Sequence, residues 1–177
     1  QGCNAVVKRC IRRSDGIPFA VKISEVEEEH LLYLRKIFNI ALNLGLLKHR
    51  NILGYHEMYI NMKRRTCKLV MDYIPHSDLG DCIHPKDKSV PYLSEGEMKD
   101  VMRQLLDVIR FLHSQNICHR DVKPDNILYD RVQGRIWLID LGISKFLVDN
   151  NVRKEMMTDT GTTDYKAPEM FEGGKYT

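Results

Sequence analysis

The stretch that decides the fold is ICHRDVKPDNILYDRVQGRIWLIDLG, residues 117–142. It begins as a polar loop, continues into a short apolar run at 127–129, and reaches a second apolar run at 136–139 after a turn at Gln133 and Gly134. Short apolar runs bounded by turn residues are typical of strands. The stretch therefore predicts two short strands joined by a turn.

Three polar side chains stand at the ends of this predicted pair of strands. Asp121 and Asn126 precede the first strand, and Asp140 follows the second. The layout predicts that they surround one small volume. A carboxylate can orient a hydroxyl group, and Asp and Asn oxygens are suitable ligands for Mg²⁺. This combination is what phosphoryl transfer requires.

The order and spacing of the motifs carry more information than any one of them. His-Arg-Asp alone or Asp-Leu-Gly alone occurs by chance in many unrelated soluble proteins. The joint pattern HRDVKPDN at 119–126, followed by DLG at 140–142, resembles the catalytic and magnesium-binding loops of protein kinases. Lys123, within D-x-K-P-x-N, is similar to the serine/threonine class of those enzymes.

The resemblance implies a role for each polar residue of the loop, with ATP and Mg²⁺ as the cofactors. Asp121 would accept or orient the proton of the substrate hydroxyl, and Lys123 would neutralise the γ-phosphate. Asn126 and Asp140 would hold magnesium, and Thr162 would brace Asp121 and Lys123.

Further segments resemble kinase motifs in the expected order along the chain. They are the tail of a glycine-rich loop at Gly2–Val7, FAVK at 19–22, the strand and interlobe hinge LVMDYIP at 69–75, and GTTDYKAPE at 161–169. By this match Lys22 would bind the α- and β-phosphates, and Met71 would be the gatekeeper of the adenine pocket. The residues to which the resemblance assigns nucleotide contacts are Gly2, Val7, Ala20, Lys22, Met71, Asp72, Ile74, Asp78, Leu128 and Asp140.

Asp78 has two interpretations of equal weight. It matches a position that contacts ribose or a basic substrate residue, and it also suits the N-cap of a helix beginning at Leu79. The sequence leaves both open.

Two features depart from the family pattern. Ala5 occupies the third glycine position of the loop. In kinases a glutamate of the following helix pairs with the lysine corresponding to Lys22, but no glutamate lies between His30 and His56. The departures favour a second interpretation, in which the chain is a pseudokinase that serves as a nucleotide-binding or scaffolding module. A small-molecule phosphotransferase is a more distant alternative.

The predicted fold is α+β and bilobal. The resemblance implies an N-lobe at 1–71, a small antiparallel sheet lacking its first strand, then a hinge at 72–77 and a mainly helical C-lobe at 78–177. Because the family continues well beyond A-P-E, we expect this C-lobe to be incomplete and the chain to be a fragment. A helical region is predicted at 24–47. A long helix after Ser94 should bury an apolar stripe of Met98, Val101, Met102, Leu105, Ile109 and Leu112.

Composition excludes several other classes. The chain has 177 residues and a net charge of +3, and its basic triplet Lys63–Arg65 suits a solvated turn better than a nucleic-acid patch. Its five cysteines are an odd number without close pairing, which favours free thiols and a reducing, cytoplasmic location. Cys118 and His119 lack a second ligand pair with zinc spacing. No apolar run is long enough to cross a membrane, so a membrane is not an expected partner. Nucleic acid is not an expected partner either, because the basic triplet suits a turn.

The predicted activity is transfer of the γ-phosphate of Mg-ATP to serine or threonine hydroxyls of protein substrates. Thr158 matches the usual activating phosphosite, and its phosphate could pair with Arg120 after modification by an upstream kinase. The opening Ala5–Cys10 and the pair Gly161-Thr162 are reminiscent of calcium/calmodulin-dependent kinases.

Overall fold

The computed structural model divides the chain into two compact units, Gln1–Pro75 and His76–Thr177. The division falls inside the predicted hinge, 72–77. The residues that the structure describes are 5–26, 38–39, 49–140, 145–146, 148–149, 152–153 and 162–168.

The first unit is built on a four-stranded antiparallel sheet with strand order β1-β2-β4-β3. The turn between the first two strands contains Gly16, whose φ of 75° suits a residue without a Cβ. Beside it, Asp15 accepts hydrogen bonds from the Arg12 guanidinium and from the backbone N–H of Ile17. The strands are β1 (Val6–Ile11), β2 (Pro18–Glu25), β3 (Tyr55–Asn61) and β4 (Thr66–Asp72).

The predicted start of a helix at residue 24 is wrong. Strand β2 continues to Glu25, which pairs with Thr66 of β4. Acidic residues near 25 suit a helix N-terminus, but here pairing with a neighbouring strand prevails over that local preference. The rest of the predicted helix lies outside the described residues, apart from Val26 and the pair 38–39.

The second unit combines helices with short two-stranded sheets, which pair as β5 with β8, β6 with β7, and β9 with β10. The β6–β7 hairpin is the one predicted from the sequence, and Gly134 in its turn has a φ of 61°. The helices are α1 (Leu79–Ile83) and α2 (Glu95–Ser114). The strands are β5 (Ile117–Cys118), β6 (Ile127–Asp130), β7 (Arg135–Leu138), β8 (Lys145–Phe146), β9 (Val148–Asp149) and β10 (Val152–Arg153).

Helix α2 begins with the capping box that the sequence predicts. Ser94 Oγ accepts from the backbone N–H of Glu97 at 3.2 Å, and the Glu97 carboxylate accepts from the backbone N–H of Ser94 at 2.7 Å. The two bonds satisfy donors that a helix N-terminus would otherwise leave unpaired. Within the described residues, no helix is long and apolar enough to span a bilayer.

The buried face of α2 differs from the predicted stripe. Met102 belongs to that stripe but is 45% exposed, whereas Val108, which does not, is fully buried. Helix α2 packs against β5 and β7. The face of the helix that these strands cover is turned slightly away from Met102. The buried residues are Val101, Leu105, Val108 and Leu112.

Arg131, in the turn of the β6–β7 hairpin, holds the start of α2. Its Nε and Nη2 donate to the two carboxylate oxygens of Glu97, at 2.7 and 3.2 Å. Its guanidinium also donates to the carbonyls of Pro91 and Tyr92, at 2.6 and 3.0 Å. One side chain thus joins the hairpin, the helix cap and the preceding loop.

We expect Glu97→Gln to flatten the acid dependence of stability. The hydrogen bonds from Arg131, followed by those from Ser94, lower the pKa of Glu97 from 4.5 to about 2. Because this pKa is lower in the folded protein, the stabilisation is complete above the ordinary value and is lost as the pH falls toward about 2. Thermal melts at decreasing pH would measure it. Exposed Glu95→Gln in the same turn is the control, and equal slopes for both variants would contradict the prediction.

Candidate functional site

The carboxylate of Asp121 is the centre of a hydrogen-bonded network in the second unit. Its Oδ1 accepts from the backbone N–H of Thr162 at 3.0 Å and from the Thr162 hydroxyl at 2.9 Å. Its Oδ2 accepts from Asn126 Nδ2 at 2.8 Å and lies 3.3 Å from Lys123 Nζ. Both oxygens therefore have fixed positions.

A hydrogen bond between Lys123 and Thr162 completes the network. Lys123 Nζ donates to Thr162 Oγ1 at 2.6 Å, so the Thr162 hydroxyl contacts the ammonium group as well as Asp121. Four residues that are distributed over 41 positions of sequence thereby meet at one carboxylate. These are the four residues, Asp121, Lys123, Asn126 and Thr162, to which the sequence assigned catalytic roles.

The environment favours the ionised form of Asp121 and the neutral form of His119. Partial burial acts to raise the pKa of Asp121, but the hydrogen bonds from Thr162, Asn126 and Lys123 together outweigh it, and this pKa lies below its usual value. Burial lowers the pKa of His119 and outweighs the hydrogen bond to the Ile139 carbonyl, which acts in the opposite direction.

His119 is a structural residue of the site. It belongs to the HRD motif, but the sequence predicted no contact for it. Its Nε2 donates to the carbonyl of Ile139 at 2.9 Å, while its Nδ1 accepts from the backbone N–H of Asp121 at 3.3 Å. The buried imidazole thus connects the loop of Asp121 to the end of β7. Its place two residues before Asp121 is the one signal that the sequence offers.

Asn126 and Asp140 lie at the same end of the β6–β7 hairpin. The backbone N–H of Ile139 donates to the carbonyl of Asn126 at 2.9 Å, which closes the hairpin one residue before Asp140. Asn126 Nδ2 is bonded to the Asp121 carboxylate and carbonyl, both at 2.8 Å, so the amide is oriented with Oδ1 as its acceptor. The hairpin brings an amide and a carboxylate residue to one end, and oxygens of both kinds are ligands that suit Mg²⁺.

In the first unit, the sheet register places four candidate residues on one face. Val7 lies opposite Lys22 in the β1–β2 pair, and Ala20 lies opposite Met71 in the β2–β4 pair. Directly opposed residues share a face, and so do residues two apart on one strand. Val7 is 58% exposed, while Ala20 and Met71 are buried. The face therefore combines three apolar residues with Lys22.

Asp72 is bonded to the segment before β3. Its backbone N–H donates to the carbonyl of Gly54 at 2.9 Å, and its carboxylate accepts from Gly54 N–H at 3.0 Å and contacts His56 Nε2 at 2.7 Å. A Cβ on Gly54 would collide with the Asp72 carboxylate, so a larger residue there would displace this side chain. For the predicted adenine contact, Asp72 thus has only its carbonyl to offer from the backbone. Ile74 is half-buried just beyond it.

Asp78 and Leu128 are neighbours across an antiparallel bridge. Asp78 also caps α1, because its Oδ1 accepts from the backbone N–H of Asp81 at 2.8 Å. The structure therefore contains the predicted helix cap at Asp78, and the ribose contact of Asp78 stays a prediction.

Two predicted functional positions lie outside the described residues: Gly2, in the predicted glycine loop, and the predicted phosphosite Thr158. Cys118 is half-buried, and burial raises the pKa of its thiol. Among the residues that the structure describes, no group of three or more His, Cys, Asp or Glu side chains is placed to hold a metal ion.

Comparison with known proteins identifies the class. The protein kinase domain family matches residues 1–177, so the chain belongs to that family. The Cydia pomonella granulovirus kinase has the same fold, with a TM-score of 0.79 over all of this chain and 61% of that one, at 24% identity.

Curated relatives carry the comparison further. The mouse phosphorylase b kinase gamma catalytic chain, liver/testis isoform, is 35% identical over an alignment 179 positions long, which covers 97% of this chain and 42% of that protein. A putative ribosomal protein S6 kinase alpha-2 of Caenorhabditis elegans is 31% identical over an alignment 185 positions long, which covers 98% of this chain and 22% of that protein. This chain thus spans less than half the length of either relative.

Proposed function

We propose that the protein is an ATP-dependent serine/threonine protein kinase. The observation that carries the proposal is the closed network in which Thr162, Asn126 and Lys123 hold the Asp121 carboxylate. An ionised carboxylate with fixed oxygens, an ammonium group beside it and a magnesium-type donor set nearby are the parts that phosphoryl transfer needs. Membership of the protein kinase domain family supports the same conclusion.

In this mechanism Asp121 orients the hydroxyl of a serine or threonine and receives its proton. The hydroxyl oxygen forms a bond to the γ-phosphorus, and the bond from that phosphorus to the β,γ-bridging oxygen breaks, leaving its electron pair on ADP. Lys123 neutralises charge on the transferred group. Asn126 and Asp140 would hold Mg²⁺, which when bound neutralises phosphate charge. Positioning and charge stabilisation supply most of the rate.

The face of Val7, Ala20, Lys22 and Met71 is proposed to contact the nucleotide, with Lys22 at the phosphates and the three apolar side chains against the base. Leu128 would contribute further apolar surface, Asp72 and Ile74 backbone bonds to adenine, and Asp78 a ribose contact. Gly2 and Thr158 remain predictions from the resemblance, as the loop glycine and the activating phosphosite.

The test is transfer of labelled phosphate from Mg-ATP to a generic serine/threonine substrate by the natural protein. Label on serine and threonine, lowered at least about 100-fold by Asp121→Asn, is the expected result. Label confined to tyrosine would contradict the serine/threonine assignment, and no transfer after treatment with an upstream kinase would contradict the activity.

We expect Thr162→Ala to lower kcat by roughly 10- to 100-fold, because one hydroxyl bonded to two charged groups contributes about 1.5–3 kcal/mol. The loss should fall on kcat, with little change in the affinity for Mg-ATP, since the Thr162 hydroxyl contacts Asp121 and Lys123. Steady-state kinetics measures both. Thr162→Ser keeps the hydroxyl and should retain most of the activity; equal losses in the two variants would count against this role.

A pseudokinase is the second candidate, favoured by the absence of a glutamate between His30 and His56. A kinase lacking the usual partner of Lys22 would have a weaker anchor for the nucleotide phosphates. Nucleotide binding without transfer, for the natural protein and Asp121→Asn alike, would select this candidate.

A further inference from the structure

His76, the first residue of the second unit, contacts two side chains of the β6–β7 hairpin. Its Nε2 lies 3.2 Å from Asp130 Oδ2, and its ring stacks on Trp137 with 6.1 Å between centroids and 11° between planes. The Asp130 side chain is 5% exposed, whereas the His76 side chain is 31% exposed. A partly exposed imidazole is therefore in contact with a buried carboxylate.

The residues after His76 run antiparallel to β6. The backbone N–H of Tyr129 donates to the carbonyl of Ser77 at 3.1 Å, and Asp78 forms a bridge with Leu128. In this register His76 lies opposite Asp130. The His76–Asp130 pair is thus the outer end of a short ladder whose inner end is formed by Asp78 and Leu128.

The strength of the His76–Asp130 contact depends on a proton. Asp130 Oδ1 already accepts from the backbone N–H groups of Val132 and Gln133, at 2.9 and 3.1 Å, so the side chain acts as an acceptor. A charged imidazole adds the attraction between opposite charges to its hydrogen bond with the carboxylate, and a neutral imidazole lacks that attraction. Histidine is the side chain that ordinarily changes charge between about pH 5 and 8.

Charged side chains from both strands of the β6–β7 hairpin lie near the His76 ring. Asp130 from β6 contacts it directly and attracts the imidazolium. From β7, the Arg135 guanidinium lies 4.5 Å from the centroid of the same Trp137 ring and repels it.

We propose that His76 is a proton-sensitive positioning residue for nucleotide binding. When charged, it fastens residues 76–78 to β6 and so holds Asp78 against Leu128; when neutral, it holds them less tightly. This inference rests on the proposed function, which gives Asp78 and Leu128 contacts to the nucleoside. It predicts an affinity for the nucleoside that falls as the pH rises.

The test uses adenosine, since it has no phosphate and keeps its charge between about pH 6 and 8, the range in which an unperturbed imidazole titrates. We expect the natural protein to bind adenosine about three- to tenfold more tightly at the lower pH, the size of effect that a charge-assisted bond provides. In His76→Gln, whose amide can accept a bond from solvent or donate one but cannot be charged, the two affinities should be equal. His56→Gln, which alters the other His–Asp pair at Asp72, should retain the pH dependence.

A second readout reports on the contact itself. Trp137 is the one tryptophan in the 177 residues, and a protonated histidine stacked on an indole quenches its fluorescence. The fluorescence difference between the natural protein and His76→Gln should therefore titrate over the same pH range as the affinity.

The outcomes separate the two proposals. Adenosine binding that does not vary with pH, or a dependence lost in His56→Gln and kept in His76→Gln, overturns the role of His76 and leaves the kinase proposal standing. No binding of adenosine or Mg-ATP at any pH, by a protein that melts cooperatively, overturns both.

Discussion

Replacing Asp121 by asparagine should lower the rate of phosphate transfer by about 10²- to 10⁴-fold, the contribution typical of a positioned general base. The amide has nearly the same shape as the carboxylate and can still accept bonds from Thr162 through its oxygen. It cannot take up the proton of the substrate hydroxyl, and it no longer balances the charge of Lys123. The defect should therefore appear in kcat.

The measurement is single-turnover transfer from Mg-ATP, with nucleotide affinity determined separately by equilibrium binding. Asp125→Asn is the matched control, because Asp125 lies in the same loop with an exposed side chain and should tolerate the same change. If Asp121→Asn retained more than about a tenth of the activity, a general-base role of the expected size would be excluded.

Truncating Ile136 to alanine should lower the free energy of unfolding by about 2–5 kcal/mol, the cost of removing a fully buried branched side chain. Ile136 has no exposed surface and lies on β7, the strand that packs against α2. The deletion leaves a cavity between the hairpin and the helix, while the backbone N–H bond from Ile136 to Gln104 Oε1 at 3.3 Å does not depend on the side chain.

Denaturant unfolding of the natural protein and the variant would measure this loss. Val132→Ala, in the turn of the same hairpin, provides the comparison, since Val132 is 96% exposed and its truncation should change stability little. A loss for Ile136→Ala no larger than for Val132→Ala would mean that this layer of the second unit contributes little to stability.

The parts of the site that the sequence predicted are those set by short spacing. Asp121 and Asn126 are five positions apart, and a turn and two short strands suffice to bring Asp140 to the same end of the hairpin. Thr162 is different, because nothing in local spacing places it near Asp121; only the order of family motifs suggested that contact. The bond between Asp72 and Gly54 likewise depends on which strands become neighbours.

The errors have physical causes of the same kind. Helical periodicity predicts that α2 has an apolar side, but the neighbours β5 and β7 decide whether Met102 or Val108 is buried. Pairing of Glu25 with Thr66 extends β2 beyond the point where its acidic residues suggested a helix. The contact of His76 with Asp130 had no sequence signal, since it follows from the register of residues 76–78 on β6.

The bonds to Asp121 close chain loops of very unequal length. The bond from Asn126 closes a loop of five residues, whereas the bonds from Thr162 close a loop of 41. By the logarithmic dependence of closure entropy on length, the longer loop costs about 2 kcal/mol more to form. During folding, the bond from Asn126 should therefore form early and the bonds from Thr162 late. The carboxylate can acquire one set of partners without the other, so a modification within the long loop could act on catalysis by changing its closure alone.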